Sequence, residues 1–324
     1  MKKPTHRPSP ALKAIGITGL GKYLPRRKCT NKELAKRLKV SPEWIVHLTG
    51  VKTRHFMNGN ESAFSMSAEA AREALARANI KASGLDLVIA CRSSGDYLFP
   101  PLACKVQDIL GASHAGAFDL SASSVGFTVG MSVAGDRLRS DPSLKHAVVI
   151  ACATQSPFLD WKEPKTSALL GDGCAAAVLS HVPTGYGLLG FDLLSRGHVF
   201  DAAYLKSCGH IRMDGVTMGR AFLKYQPLLI QKVLRKAGLT VKDVDLYIFH
   251  QANARLIQFL MDRMKLPMSK TYTNAERLGN TADASILLAL CEAWEAGRIR
   301  RGDVIVLSGV GAGCLAGVLV MRWY

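Results

Sequence analysis

Apolar residues recur along this chain in two rhythms. Residues 12–20 alternate apolar and small or polar positions, the period of a strand. Further strand-length apolar runs lie at 85–91, 117–120, 146–153, 245–249 and 304–308, and a glycine-hinged one at 168–179. Between them, helical spacing covers 30–39, 67–78, 102–110, 125–138, 221–237, 254–264 and 284–296, and a short helix starts at Ser41-Pro42. Thr30 and Glu33 have the spacing of a capping box, and Pro42 suits a first helical turn. Gly19-Leu20-Gly21 reads as a tight turn rather than a dinucleotide fingerprint, because Leu24 and Pro25 stand where a third glycine is needed.

The elements repeat. Helix 67–78, strand 85–91, helix 102–110, turn 119–124, helix 125–138 and strand 146–153 are matched by helix 221–237, strand 245–249, helix 254–264, turn 278–283, helix 284–296 and strand 304–308. A unit of this length, used twice, predicts two packed α/β halves with mainly parallel sheets covered by helices. The expected organisation is a flexible basic tail at 1–10, a first half at 11–182 and a second at 183–324. Loops at corresponding strand ends then converge on one crevice. The repeat sets Ser124 in the turn that corresponds to the one holding Asn280.

Composition narrows the class. Of 324 residues 48% are apolar, enough for a large core, yet no apolar run is long enough to span a bilayer. The first ten residues are basic and broken by proline, with no apolar segment behind them, unlike a signal peptide. The eight cysteines show no metal-ligand spacing, and Cys91, Cys152 and Cys174 sit in apolar runs. That usage predicts a reducing compartment, the cytoplasm. A net charge of +17 suggests an anionic partner or a solubilising surface. The basic residues are spread along the chain without any nucleic-acid-binding signature, so nucleic acid is not expected as a partner.

The stretch from Ala117 to Gly130 carries the candidate chemistry. A strand end runs through small residues into an apolar helix, which places Ser124 where free N–H groups and the helix dipole favour developing negative charge. Ser124 reads either as a nucleophile or as a helix N-cap. His250 follows a strand, where α/β folds place their sites. Asn280 follows a glycine, and Gly309, Gly311 and Gly313 form a glycine-rich turn. Each has a bland reading: a packed histidine, a turn asparagine, close backbone packing. Together they suit acyl transfer, with a nucleophile, a base or donor, and oxyanion donors.

With those residues the chain resembles the β-ketoacyl-[acyl carrier protein] synthase III family of the thiolase superfamily along nearly its whole length. The resemblance rests on Trp44-Ile45 with Thr49-Gly50, Gly95-Asp96-Tyr97 with Pro100, Asp119 to Phe127, Gly171-Asp172-Gly173, His250 to Asn253, Gly279-Asn280-Thr281 and the last glycine turn. It implies a duplicated thiolase-like fold, its halves related by a pseudo-twofold axis in five α-β-α-β-α layers. It also implies a homodimer, an acyl-CoA donor as substrate with no cofactor or metal, and decarboxylative condensation with a malonyl carrier protein. By resemblance, Ser124 takes the acyl group and His250 and Asn280 stabilise the enolate. The N–H groups of Ser124 and Ala312 hold the oxyanion, Trp44 contacts CoA, and Arg255 helps dock the carrier.

Three departures stand out. Ser124 replaces the family's cysteine, and a hydroxyl needs a base, for which His250 is the candidate. An oxygen ester is also less electrophilic than a thioester, which favours acyl transfer over condensation. The chain is therefore expected to be an acyltransferase, condensing or not. The alternative is a trapped or naturally non-condensing subunit that binds acyl-CoA and carrier without turnover. Leu48 stands where the family has arginine beside Trp44, and Ala312 where it has glycine. Phe99, Leu194, Phe200 and Leu205 are candidate walls of the acyl pocket.

Overall fold

The computed structural model describes residues 13–95 and 97–324; the tail at 1–10 and Asp96 lie outside the described residues. In chain order the first half comprises β1 (Ala14–Tyr23), β2 (Arg27–Thr30), α1 (Asn31–Leu38), α2 (Pro42–Thr49), β3 (Thr53–Phe56), α3 (Ala63–Ala78), β4 (Leu87–Arg92), α4 (Leu102–Leu110), β5 (Gly116–Leu120), α5 (Gly126–Ser140), β6 (His146–Ala153), α6 (Pro164–Ser167) and β7 (Gly173–Val182). The second comprises β8 (Gly187–Leu194), β9 (Ala203–Tyr204), β10 (Arg212–Met213), α7 (Gly215–Lys236), β11 (Leu246–Phe249), α8 (Ala254–Arg263), α9 (Ala275–Leu278), α10 (Ser285–Glu295), β12 (Val304–Gly311) and β13 (Leu315–Arg322).

Two sheets hold the molecule together, in the orders β1-β7-β6-β4-β5 and β11-β12-β13-β8. They superimpose in pattern: β4 matches β11, β6 matches β12, β7 matches β13 and β1 matches β8. A lone parallel bridge between Tyr247 and Thr271 stands where β5 stands in the first sheet. Asp86 accepts the N–H groups of Lys145 and His146, and Asp245 accepts that of Val304, so the same carboxylate clamp opens both copies. The sheets are mixed rather than mainly parallel. β4 runs parallel to β5 and β6, but β7 and β1 follow antiparallel, as do β13 and β8. The cause in the second half is direct, since a three-residue turn joins β12 to β13 and so short a link reverses the strand.

Side-chain alternation on the strands builds the layers. Ile89 and Cys91 of β4 face a central core with α5 and α10, while Val88 and Ala90 face α3 and α4. The second sheet likewise packs its other face against α7 and α8. Helix α10 is buried without a break from Ser285 to Ala293, as a helix between two sheets must be. Cys91, Cys152 and Cys174 are fully buried. The result is the expected thiolase-like α-β-α-β-α arrangement.

Several local expectations need correction. Gly19 and Gly21 lie within β1 and make no turn. A Cβ on Gly21 would stand 2.1 Å from the Ala70 carbonyl oxygen, and one on Gly19 2.2 Å from that of Ala74. They are glycines because α3 lies directly on the strand. Helix α3 starts at Ala63 rather than 67, through a reciprocal cap between Ser62 and Ser65. Glu33 leaves the capping box half closed by pairing with Arg27. The repeat register also shifts: the elbow residues with positive φ are Ser123 (52°) and Ala282 (37°), which makes Asp283, and not Asn280, the counterpart of Ser124.

Candidate active site

Strand β5 ends at Leu120 and a 3-10 turn, Ser123–Val125, leads into α5. Asp119 anchors the strand end by accepting from Arg92 Nε and from the N–H groups of Leu102 and Ala103. The positive φ of Ser123 makes the elbow sharp and lifts Ser124 to the start of the helix. Neither the 3-10 turn nor α5 has a side-chain cap, so Ser124 does not serve as an N-cap.

His250 follows β11 directly and is 2% exposed. Its Nδ1 pairs with Ser285 Oγ at 2.5 Å, which leaves Nε2 for the cavity. Burial pushes its pKa down to about 3, so the ring is neutral. Asn280 crosses between the halves: its N–H donates to the Leu169 carbonyl and its own carbonyl accepts from Gly171 N–H. Its Oδ1 accepts from Ala282 N–H at 2.9 Å. That bond fixes the amide orientation and leaves Nδ2 as the free donor.

Ser124, His250, Asn280 and Ala312 line one cavity of about 200 Å³. Ala312 differs from expectation in one respect. Its N–H donates to Ser123 Oγ at 2.8 Å, so the expected oxyanion donor already has an acceptor within the chain. Leu205 lines this cavity and also an adjoining space of about 740 Å³ reached past Ser93 and Ser94, where Phe99 contributes. Leu194 and Phe200 line neither: Leu194 packs against the outer core of the second half, and Phe200 faces solvent.

Trp44 is half-buried against the cluster formed by α1, α2 and β3, and it does not line the cavity. The cation–aromatic stack among these residues is instead Arg37 on Trp161, at 3.4 Å. Helix α2 does abut the start of α8, where Asn253 Nδ2 donates to the Leu48 carbonyl oxygen. Arg255 is exposed at the first turn of α8.

The roles of several supporting residues are not legible in the sequence, because their partners are remote. Asp172, buried in the Gly171-Asp172-Gly173 turn, accepts from the N–H groups of Met57, Gln155 and Ser156 and from the Ser156 hydroxyl. Burial pushes its pKa up against the pull of those bonds. Arg54 is fully buried and donates to Asn31 Oδ1 and to the Ala168 carbonyl oxygen. Burial lowers its pKa to about 10. Ser285 gave no signal beyond its place in an apolar helix. Among the described residues no three potential metal ligands come together, and no helix is long and apolar enough to cross a membrane.

Comparison with known proteins shows the family and the fold. Residues 118–197 match the family model for 3-oxoacyl-[acyl-carrier-protein] synthase III, and residues 234–323 match its C-terminal model. The chain is 38% identical to the β-ketoacyl-[acyl-carrier-protein] synthase III of Bacillus pumilus, over 95% of this chain and 98% of that one. The crystal structure of 3-oxoacyl-[acyl-carrier-protein] synthase III from Aquifex aeolicus superimposes with a TM-score of 0.92 at 34% identity, covering 95% of this chain and all of that one. The priming β-ketosynthase of the R1128 polyketide pathway does so with a TM-score of 0.93 at 29% identity, covering 98% of each chain. Matched over nearly its whole length in both sequence and fold, the chain belongs to the β-ketoacyl-[acyl carrier protein] synthase III family of acyltransferases.

Proposed function

We propose that this protein takes an acyl group from acyl-CoA onto Ser124 and passes it to malonyl carrier protein or to another acceptor. The observation that carries this reading is Ser124 at a sharp elbow, sharing one cavity with His250 and Asn280. In acylation the Ser124 oxygen attacks the thioester carbonyl and its proton passes to His250 Nε2. The C–S bond breaks, and that proton leaves on the thiol of CoA. A neutral imidazole suits this task, and the Ser285 hydroxyl can donate or accept, so it supports either tautomer. In condensation, the malonyl thioester loses carbon dioxide, and the enolate oxygen is held by donors from His250 Nε2 and Asn280 Nδ2. The enolate carbon then attacks the acyl-Ser124 carbonyl, the ester C–O bond breaks, and the Ser124 oxygen takes a proton from solvent.

The donor enters beside the start of α8, where Ala252 and Asn253 line the cavity, and no cofactor takes part. Arg255 on α8 supplies positive charge for an acidic carrier, one use for a net charge of +17. A homodimer forms along β5, an edge strand of its sheet, beside the exposed side chains of Tyr97, Leu98 and Phe99. A second reading, a subunit that binds acyl-CoA without turnover, is favoured by one observation: Ser123 Oγ already accepts the Ala312 N–H.

Intact-protein mass spectrometry after incubation with a panel of acyl-CoAs separates the two readings. A covalent acyl mass on the native chain, absent in Ser124→Ala and discharged by an acceptor, supports transfer. Binding of acyl-CoA with no mass gain on any donor sinks it.

A further inference from the structure

The strand ends of the first half carry a second polar cluster, opposite the one that holds Ser124. Here Ser93 and Ser94 follow the end of β4, Thr154 and Gln155 follow the end of β6, and Asp283 reaches across from the turn before α10. It is the pseudo-twofold image of the Ser124 site, since Asp283 is the counterpart of Ser124 at the other elbow. The cluster is short of partners. Thr154 Oγ1 and both oxygens of Asp283 are buried with no hydrogen bond and line neither cavity, so they sit behind the wall that Gln155, Ser93 and Ser94 form. Asp283 lies against the first turn of α5, where a Cβ on Gly126 would stand 2.6 Å from Asp283 Oδ1. The Ser93 hydroxyl and N–H face this carboxyl and favour its charged form, without closing a hydrogen bond of good geometry.

Gln155 links this cluster to the cavity. Its Nε2 donates to two carbonyls, Gly171 in one half and Asn280 in the other, each at 2.8 Å. Both amide protons are spent, so the orientation of the amide is fixed and Oε1 is an acceptor. Gln155 is 5% exposed and lines the cavity with Ser124. Ser94 Oγ accepts the Thr154 N–H, which leaves its own proton to give. Ser93 and Ser94 line both the cavity at Ser124 and the space beyond it.

We propose that the part of the cavity lined by Gln155 and Ser94 is a subsite for a short acyl group bearing a hydroxyl, with Gln155 Oε1 accepting from that hydroxyl and Ser94 donating to it. One fixed acceptor and one free donor lining the same cavity complement a group that both gives and takes a hydrogen bond, which a plain alkyl chain cannot. A plain chain would leave the Gln155 acceptor buried and unpaired, and sites of this kind discriminate strongly against the analogue that lacks the hydroxyl. The proposal rests on the acyl-transfer reading of Ser124.

The test compares butyryl-CoA with 3-hydroxybutyryl-CoA on the full chain, by equilibrium binding and by the rate of acyl-Ser124 formation. The hydroxylated donor should be favoured by about tenfold or more, the scale of one satisfied buried hydrogen bond. That ratio should fall toward unity in Gln155→Met and shrink in Ser94→Ala, which breaks no contact between the halves. Equal binding and equal acylation by the two donors in the native chain overturn the subsite while leaving acyl transfer intact. Failure of both CoA esters to bind overturns the acyl-CoA reading, and the subsite falls with it.

Discussion

Ser123 Oγ accepts the Ala312 N–H at 2.8 Å, across the boundary between the two halves and immediately before the candidate nucleophile. This single contact bears on how fast Ser124 can react, because it draws off a donor suited to a developing oxyanion.

Replacing Ser123 by alanine frees that N–H without altering the backbone demand at φ 52°. One oxyanion donor is worth about 10²–10³ in rate, so Ser123→Ala should speed acyl-Ser124 formation by about tenfold or more. Time-resolved mass spectrometry reads this directly. A slower variant would mean that the Ser123 hydroxyl is itself the working donor.

Ser124→Cys places a thiol at the helix start, where a thiolate is accessible near neutral pH. The variant should acylate faster than the native chain by at least about tenfold and should release carbon dioxide with malonyl carrier protein. Carbon dioxide release and β-ketoacyl product are the readouts. A cysteine variant that acylates but never condenses would place the block elsewhere, with His250 or Asn280.

Two buried groups tilt stability in opposite directions with pH. His250 has a folded pKa near 3 against 6.5 unfolded, so between these values the unfolded chain binds the extra proton and stability rises with pH. Asp283 has a folded pKa near 7 against 3.8, so between these values the folded chain holds the extra proton and stability falls with pH. Each slope is about 1.4 kcal/mol per pH unit, and they offset one another over their common range. Asp283→Ala should therefore uncover a rise in unfolding free energy from about pH 4 to 6, and should be more stable than the native chain at pH 8. Urea midpoints across this range decide it, and parallel curves for the two proteins would refute the assignment.

Arg255 is exposed on α8 and free to meet an acidic partner. Arg255→Glu should weaken carrier-protein binding severalfold, mainly through association, and flatten its salt dependence. Acylation by acyl-CoA in the absence of carrier should change far less. Equal loss with and without carrier would mean that the charge serves the fold instead.

The sequence by itself determined the repeated α/β unit, because strand and helix periods are local properties and the same order of elements occurs twice. It also singled out Ser124, His250 and Asn280, since each follows a strand end or a turn whose residue types are visible without a structure. The antiparallel half of each sheet was not legible: β13 follows a glycine-rich turn, and its pairing with β12 and β8 is a matter of remote backbone contact. Nor were the roles of Gly19 and Gly21, which depend on α3 lying against β1. Ser285, Arg54 and Gln155 looked ordinary because the atoms that give them meaning are far away in the chain. The elbow register, the Ser123 to Ala312 contact and the polar cluster around Asp283 were decided only by tertiary structure. They arise where two halves meet, and a hydrogen bond or a close approach across that boundary leaves no period in either half to read.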